Sequence, residues 1–203
     1  MNALVWADRN LKTMGDFDAF VCNGRVWRSS RVADCAARLA SGLLALGIEP
    51  GERVLLWLPN GPDLVIAWRA ALRAGCVAVV AHRGSPAERI RQLAAEIQPA
   101  ALVTLAALAE SLPAEVARHR IHAGPEQIPG WIGMPDFVAA HPHLRDPVPR
   151  AASDPAFIQF TSGSTGTPKG AVTRHGSFSA TVMRSRLSFG RWRRPIRYLS
   201  VLP

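Results

Sequence analysis

Short apolar runs alternate with helical patterns through the middle of this 203-residue chain. Each run is nearly free of polar residues, which is typical of a strand buried on both faces of a parallel sheet. A helix after each strand returns the chain to the same end of the sheet. The pattern predicts an α/β fold, with a parallel β-sheet flanked by helices on both faces. The predicted strands cover residues 54–58, 76–81 and 100–105, and the predicted helices cover residues 63–74, 86–97 and 106–119.

A hairpin and a long helix are predicted before this alternation. Two extended runs within residues 19–27 flank Asn23-Gly24, a dipeptide that favours a tight turn because both of its residues tolerate positive φ. Ser29 and Ser30 can cap the next helix, in which apolar residues recur every three or four positions until Gly47. Residues 85–88, Ser-Pro-Ala-Glu, have the form of a capping box with proline at the first helical position.

The second half of the chain changes in composition. Residues 123–153 are rich in Gly, Pro and His, which suits a connection between subdomains, and one short helix is expected near residues 136–140. We predict a first α/β subdomain with the hairpin at residues 1–152, and the start of a second subdomain at residues 153–203. In the second part the patterns predict a strand at 156–160, a loop at 161–170, an extended piece at 172–175, a helix at 177–187 and a strand at 196–202.

Positive charge is concentrated near the end of the chain. The formal net charge is +9, the last acidic residue is Asp154, and the residues beyond it hold Lys169 and seven arginines. Such a segment can serve nucleic acid, a membrane surface or a phosphorylated ligand, or it can face an acidic part of the same fold. No nucleic-acid-binding motif accompanies the basic stretch at 184–197, so we expect no nucleic-acid partner.

Several other classes are excluded by composition and spacing. No apolar run approaches the roughly 18 to 20 residues of a membrane span, and the first residues lack the pattern of a signal peptide, so we expect no transmembrane segment and a cytoplasmic location. The three cysteines include no CxxC pair, which makes thiols the expectation. The histidine pairs at 119 and 122 and at 141 and 143 lack a third ligand at a recognised spacing, so no metal site is predicted.

One loop carries most of the chemistry. Its hydroxyls and unhindered glycine amides can converge on an anion, and its lysine supplies a point charge for a polyphosphate. It is not a Walker A loop, because the lysine follows proline and precedes glycine. A solvent-exposed Ser/Thr/Gly linker would have the same composition. The loop consists of Thr161, Ser162, Gly163, Ser164, Thr165, Gly166, Thr167, Pro168, Lys169 and Gly170.

The order of these residues, TSGSTGTPKG, resembles the phosphate-loop signature of the AMP-forming adenylate synthetase superfamily. That superfamily includes acyl-CoA synthetases, fatty acyl-AMP ligases, luciferases and the adenylation domains of peptide synthetases. Residues 43–60 and 71–80 resemble two early segments of the same family, and His175 stands where the family commonly has histidine. We expect His175 to be a residue of the helix start or of the packing and not a catalytic base.

The resemblance implies a two-step ligase. A carboxylate attacks the α-phosphate of Mg-ATP to give an acyl-adenylate, and the acyl group then passes to a thiol of coenzyme A or a carrier protein, or to an amine. Carried over residue by residue, Thr161 to Lys169 would hold the β- and γ-phosphates of ATP. The cofactors implied are ATP and Mg²⁺, with the magnesium ligands expected outside this chain, and the substrate is a carboxylic acid whose identity stays open.

Family members continue beyond a Leu-Pro such as Leu202-Pro203 into further nucleotide-binding motifs and a mobile C-terminal domain. The resemblance therefore implies the N-terminal part of a ligase, with the C-terminal domain absent, no catalytic residue assigned within the chain and the isolated chain inactive. Two alternatives stay open. The chain can be a phosphate-binding remnant without turnover, or an interaction fragment whose basic segment docks on a partner.

Overall fold

The computed structural model describes residues 2–161 and 169–188. The described part begins with helix α1 and a hairpin, continues through alternating strands and helices, and ends with a second hairpin and a helix. In chain order the first elements are α1 (Leu4–Met14), β1 (Asp18–Cys22), β2 (Arg25–Arg28), α2 (Ser29–Ala45), β3 (Arg53–Trp57), α3 (Pro62–Arg73), β4 (Val77–Val80), α4 (Ala87–Ile97) and β5 (Ala101–Leu105). They are followed by α5 (Ala106–Ala109), a 3-10 helix (Ala114–Val116), β6 (His119–Ala123), β7 (Ile132–Gly133), α6 (Met134–Ala140), β8 (Pro155–Thr161), β9 (Lys169–Arg174) and α7 (His175–Ser188).

The main sheet has the strand order β7-β6-β5-β3-β4-β8-β9 in the described residues. All neighbouring strands are parallel except β8 and β9, which form an antiparallel pair. At the centre, Leu55 of β3 pairs with Val79 of β4 on one side and with Leu102 of β5 on the other. The predicted α/β fold is confirmed, and the structure adds one antiparallel strand at the edge.

Both faces of the sheet are covered, which explains why the central strands lack alternation. Val54 and Leu56 of β3 point to a core that includes residues of α2 and α3, whereas Leu55 points to a core that includes residues of α4. All three side chains are buried. Burying one such side chain stabilises the fold by about 1.5–3 kcal/mol, so a polar residue in either register would be costly.

The predicted hairpin at the N-terminal end is confirmed. β1 and β2 pair antiparallel around Asn23-Gly24, whose φ angles are 50° and 74°. The helix that follows starts at Ser29, but neither predicted serine caps it with its own side chain. The carboxylate of Asp16 accepts hydrogen bonds from Ser30 N and from Ser29 Oγ, each at 2.9 Å. These bonds, with the backbone bond from Ser30 foremost, hold the pKa of Asp16 well below its usual range.

Two helix predictions in the middle of the chain are wrong. The segment 106–119 does not form one helix: α5 ends at Ala109, and His119 begins strand β6. Pro113 explains the break, since proline lacks an N–H and disfavours helical geometry at the residue before it. The capping box at 85–88 is also absent, because Pro86 is the N-cap residue and no side chain caps the helix. Glu88 instead accepts a hydrogen bond from Arg91 Nε at 2.9 Å.

Helix α1 has no counterpart among the predicted elements. Its Asp8 accepts hydrogen bonds from both terminal nitrogens of Arg73 at 2.8 and 2.9 Å, which ties α1 to the end of α3. The short helix expected near 136–140 is confirmed as α6, and the later predicted strand, extended piece and helix correspond to β8, β9 and α7. The strand predicted at 196–202 lies outside the described residues, and the boundary near residue 152 stays a prediction.

The three cysteines are free thiols. Cys76 is buried, and this burial raises the pKa of its thiol to about 12. Cys22 and Cys35 are half-buried. Within residues 2–161 and 169–188, the structure contains no helix long and apolar enough to cross a lipid bilayer.

Candidate functional site

The sheet has a reversal of strand order between β3 and β5. The chain moves from β3 through α3 to β4, and then from β4 through α4 back to β5 on the other side of β3. The helices α3 and α4 lie on opposite faces, because they pack in different cores. In open parallel sheets, such a reversal leaves a crevice beyond the carboxyl ends of the two strands, and ligands bind there.

A cavity of about 200 Å³ lies beside this reversal, at the carboxyl ends of β3, β4 and β8. It combines apolar walls with polar side chains from three neighbouring strand ends: Asn60 after β3, His82 and Arg83 after β4, and Gln159 of β8. His82 is oriented by a hydrogen bond in which its Nδ1 accepts from Gly84 N at 3.2 Å. The last lining residue along β8 is Phe160, which directly precedes Thr161.

A second cavity of about 350 Å³ lies beyond β3 and β5 and shares Arg83 with the first. Its other lining residues are mainly apolar, and they include Trp57 and Leu105. The indole Nε1 of Trp57 is buried without a hydrogen-bond partner among the described residues. The reversal therefore offers a cationic guanidinium between a polar cavity and an apolar one.

The predicted phosphate loop starts at this same edge. β8 runs parallel to β4 and ends at Thr161, and β9 begins at Lys169. Thr161 and Lys169 are paired across the antiparallel hairpin, so the structure brings the two ends of the loop together. Lys169 is exposed. The other predicted site residues, Ser162, Gly163, Ser164, Thr165, Gly166, Thr167 and Pro168, lie outside the described residues.

Gly170, the residue after the lysine, packs tightly against the side chains of β8. It lies opposite Phe160 in the hairpin. A Cβ at this position would come within 3.0 Å of Ile158 Cγ2 and 3.3 Å of the Phe160 ring. The side chains of β8 therefore occupy the space beside Gly170, which lets the two arms of the loop approach closely.

His175 follows β9 and begins α7, as expected of a residue of the helix start. It is fully buried, and its Nδ1 accepts a hydrogen bond from Ala3 N at 3.2 Å. Burial lowers the pKa of this histidine, and the nearby Arg150 guanidinium lowers it further. The neutral ring, with Nδ1 as an acceptor, is thus the form that the fold holds. His175 is a packing residue here, and it does not line either cavity.

The remaining histidine candidates lie apart from this edge. His119 and His122 stand three residues apart on β6, so their side chains point to opposite faces of the sheet. His141 Nδ1 lies 2.7 Å from Phe137 O, and His143 Nδ1 lies 2.9 Å from Asp34 Oδ1. In the described part of the chain, no group of three or more His, Cys, Asp or Glu is clustered as a metal site would require.

Sequence patterns alone missed the polar residues Asn60, His82, Arg83 and Gln159. One signal could have found the first three, because each lies within two residues of the end of a predicted buried strand, and the carboxyl ends of parallel strands meet at one edge. The adjacency of Gln159 depends on the pairing of β8 with β4, which the order of elements along the chain does not indicate.

The sequence profile of a family described as AMP-binding enzyme matches residues 7–203. This chain belongs to that family. Among relatives of this AMP-binding family chain, Novobiocin biosynthesis protein H of Streptomyces niveus is 34% identical over 169 residues, which are 83% of this chain and 28% of that protein. The L-proline--[L-prolyl-carrier protein] ligase of Pseudomonas fluorescens is 34% identical over 143 residues, which are 69% of this chain and 28% of that protein.

A solved structure shows the same fold. ATP-bound MatB from Rhodopseudomonas palustris superposes with a TM-score of 0.77 at 23% identity, over 92% of this chain and 37% of that one. The family profile covers all ten residues of the predicted phosphate loop, and the fold matches that of an ATP-bound neighbour. The chain spans only 28% of the length of each of these two curated relatives, so the reaction of the whole protein is treated below as a proposal.

Proposed function

We propose that this chain is the phosphate-binding part of an AMP-forming ligase that activates a carboxylic acid with ATP. The loop from Thr161 to Lys169 holds the β- and γ-phosphates of ATP. The acyl group is then transferred to a thiol, of coenzyme A or of a carrier protein. Membership of the AMP-binding family and the name of the prolyl-carrier-protein ligase support this reaction class.

One observation carries the proposal: the two ends of the loop meet at the carboxyl edge of the sheet, beside the polar cavity at the ends of β3, β4 and β8. Thr161 pairs with Lys169, and Phe160 lines the cavity that Asn60 and Arg83 also line. A polyphosphate held by the loop can therefore extend toward a crevice that already presents a cation. A linker of the same composition would not need this placement.

The chemistry requires charge neutralisation more than proton transfer. In the first step a carboxylate oxygen attacks the α-phosphorus, the bond from that phosphorus to the bridging oxygen breaks, and pyrophosphate leaves with the electron pair. In the second step the thiol sulfur attacks the acyl carbon and AMP leaves. Backbone amides and a lysine around the departing pyrophosphate stabilise the charge that develops on it, which is the main task of a protein in such transfers.

Magnesium is implied by the family resemblance, and when bound it neutralises phosphate charge. The described residues do not fit such a site, because no cluster of carboxylates or histidines lies among residues 2–161 and 169–188. No step is therefore assigned to protein ligands of magnesium within these residues.

The test is ATP binding by the 203-residue chain, measured by ligand-observed NMR or calorimetry. Binding is the readout because the chain spans only 28% of its curated relatives. We expect an affinity weaker than micromolar, and we expect Lys169→Ala to weaken it about tenfold, which corresponds to about 1.4 kcal/mol. The loss arises because one full positive charge is removed from the phosphate site.

The chain offers a matched control in its other lysine. Lys12→Ala removes the same charge from the exposed side of α1, and it should leave ATP affinity within about twofold of the wild type. Equal effects of the two substitutions would contradict the proposal, since they would show that only net charge matters. Wild-type chain that binds no ATP at millimolar concentration would also contradict it.

A further inference from the structure

Strand β9 (Lys169–Arg174), which follows the phosphate loop and forms its trailing arm, is weakly supported by the sheet. The leading arm, β8, is paired with β4 on one side and β9 on the other. In the described residues β9 is the last strand of the sheet, so β8 is its one strand neighbour there. Four of its residues from Lys169 to Val172 are exposed. Besides its pairing with Thr161, the position of Lys169 depends on how the far end of β9 is held.

That far end is held by backbone contacts to the residues before β8. His175 N donates to Asp154 O at 3.0 Å, and Gly176 N donates to Ala152 O at 2.9 Å. Arg174 adds a hydrogen bond from its guanidinium to Ser153 O. These contacts close the base of the hairpin, but they tie β9 to a loop and not to the core.

Asn2 and Ala3 form one connection between this end of β9 and the core. The fully buried His175 ring accepts a hydrogen bond from Ala3 N. Asn2, which is 2% exposed, fixes Ala3 in place. Its Nδ2 donates to Leu72 O at 2.7 Å and to Val148 O at 2.9 Å, and its Oδ1 accepts from Leu4 N at 3.0 Å.

Aromatic packing supports the same helix from a second direction. Phe178, one turn after His175, makes edge-to-face contacts with Trp68 of α3 and Phe157 of β8, with ring centroids 5.6 and 5.5 Å apart. Phe178 places α7 against the sheet. The hydrogen bond to Ala3 sets the orientation of its first residue, because a hydrogen bond is directional and aromatic packing is less so.

We propose that Asn2, Ala3 and His175 form an anchor that positions the trailing arm of the phosphate loop, and hence Lys169. This role for His175 is that of a positioning residue, and its functional consequence rests on the proposed function. The anchor acts over the length of β9, which has six residues and spans about 20 Å at the usual rise of a strand. Asn2 and Ala3 thereby influence the position of Lys169 at the other end of β9.

The anchor is tested by amide hydrogen exchange in the intact 203-residue chain. His175→Leu introduces an apolar side chain of similar length and removes the acceptor of the Ala3 hydrogen bond. Asn2→Leu fills the space of the asparagine side chain and removes its three hydrogen bonds. Both should raise the exchange rates of β9 amides about tenfold and those of β5 amides less than twofold, because a strand at the edge opens locally. His175→Asn, which can keep an acceptor near the position of Nδ1, should restore at least part of the protection.

A stability control separates the anchor from general weakening. Ile90→Ala removes core packing in α4, on the other face of the sheet, and should raise exchange without selecting β9. If the two leucine variants accelerate exchange uniformly, as Ile90→Ala does, or leave β9 unchanged, the anchor is overturned. In the wild type, ¹⁵N NMR should show His175 with its proton on Nε2, and a proton on Nδ1 would also overturn it.

ATP binding then tests the functional consequence. His175→Leu should weaken ATP affinity about threefold or more, and His175→Asn should recover it in part, whereas Ile90→Ala should not weaken it at temperatures where the chain stays folded. If β9 loosens selectively and ATP affinity does not change, the anchor has no influence on the site and the positioning role is overturned. If the wild type binds no ATP while β9 still loosens selectively, the proposed function fails and the anchor stands.

Discussion

Replacing Arg73 should reveal how much of the fold depends on one buried cation. The side chain of Arg73 is 7% exposed and that of its partner Asp8 is 21% exposed. Besides its two bonds to Asp8, the guanidinium donates to Leu144 O and Arg145 O, each at 3.1 Å. It thus joins α1, the end of α3 and the segment before β8. The change Arg73→Met keeps most of the side-chain volume and removes the charge and every side-chain donor.

The expected loss is about 3 kcal/mol of unfolding free energy. Removing one partner of a buried ion pair costs about 3–5 kcal/mol, because the other charge stays buried without compensation. We take the lower end, since Asp8 keeps some access to water. Burial raises the pKa of Asp8 although Arg73 opposes this, so the carboxyl can take up a proton more readily than an exposed one once its partner is gone.

The measurement is urea unfolding followed by far-UV circular dichroism, with an unchanged slope as evidence that only stability has changed. Asp8→Asn should cost less than Arg73→Met, because the two carbonyl bonds of Arg73 survive. The double variant should lose less unfolding free energy than the sum of the two single-variant losses. We expect a difference of at least about 1 kcal/mol, the coupling of a contacting pair. A loss below about 1 kcal/mol for Arg73→Met, or strict additivity, would refute the reasoning.

Two other perturbations test the packing and the titration of the fold. Gly42→Ala should destabilise by about 1–3 kcal/mol although alanine favours helices, because a Cβ there would overlap the Phe137 ring, and Phe137→Leu should recover part of the loss in urea unfolding. Burial lowers the pKa of His175, so below about pH 6.5 the unfolded chain binds a proton that the folded chain excludes. The unfolding free energy should therefore be constant above about pH 6.5 and should decrease below it, by up to about 1.4 kcal/mol per pH unit. His175→Asn should reduce this dependence between pH 7.5 and 5.5, and an equal dependence in both proteins would count against it.

The central strands could be predicted from the sequence because each is a run of consecutive apolar residues. β3, β4 and β5 are apolar runs bounded by turn residues, and both faces of each strand are covered. β6 could not be predicted in this way. Its sequence, His-Arg-Ile-His-Ala, has the polarity of a surface segment, and Ile121 and His122 are buried because β6 lies inside the sheet between β5 and β7.

Capping by a distant residue was equally invisible to local patterns. Ser29 and Ser30 have the right chemistry for an N-cap, yet the acceptor is Asp16, which the hairpin β1–β2 brings back to the helix start. The interaction spans 13 residues for Ser29, so no window around the helix contains it. Local propensity identified where the helix begins, and tertiary structure determined which group satisfies its amides.

The candidate site divides along the same line. The predicted phosphate loop is contiguous in the sequence, and the prediction rests on the order of its ten residues alone. Asn60 and Arg83 stand 23 positions apart, and both are far along the chain from Gln159. They meet only because β3, β4 and β8 are neighbours in the sheet. A pattern on one segment can predict a loop, whereas a cavity built from three segments requires the strand order.

The place of β8 in that order decides whether the loop can serve the crevice. Beside β4, the end of β8 lies two strand spacings from β3, about 10 Å. Had β8 continued the sheet beyond β7, four spacings would separate it from β3, about 19 Å, and a polyphosphate held by the loop could not reach the crevice. Pairing of Ala78 and Val79 with Phe157 and Ile158 fixes the first arrangement. The packing of Phe157 against Trp68 of α3 supports it, so apolar residues determine where the predicted phosphate loop begins.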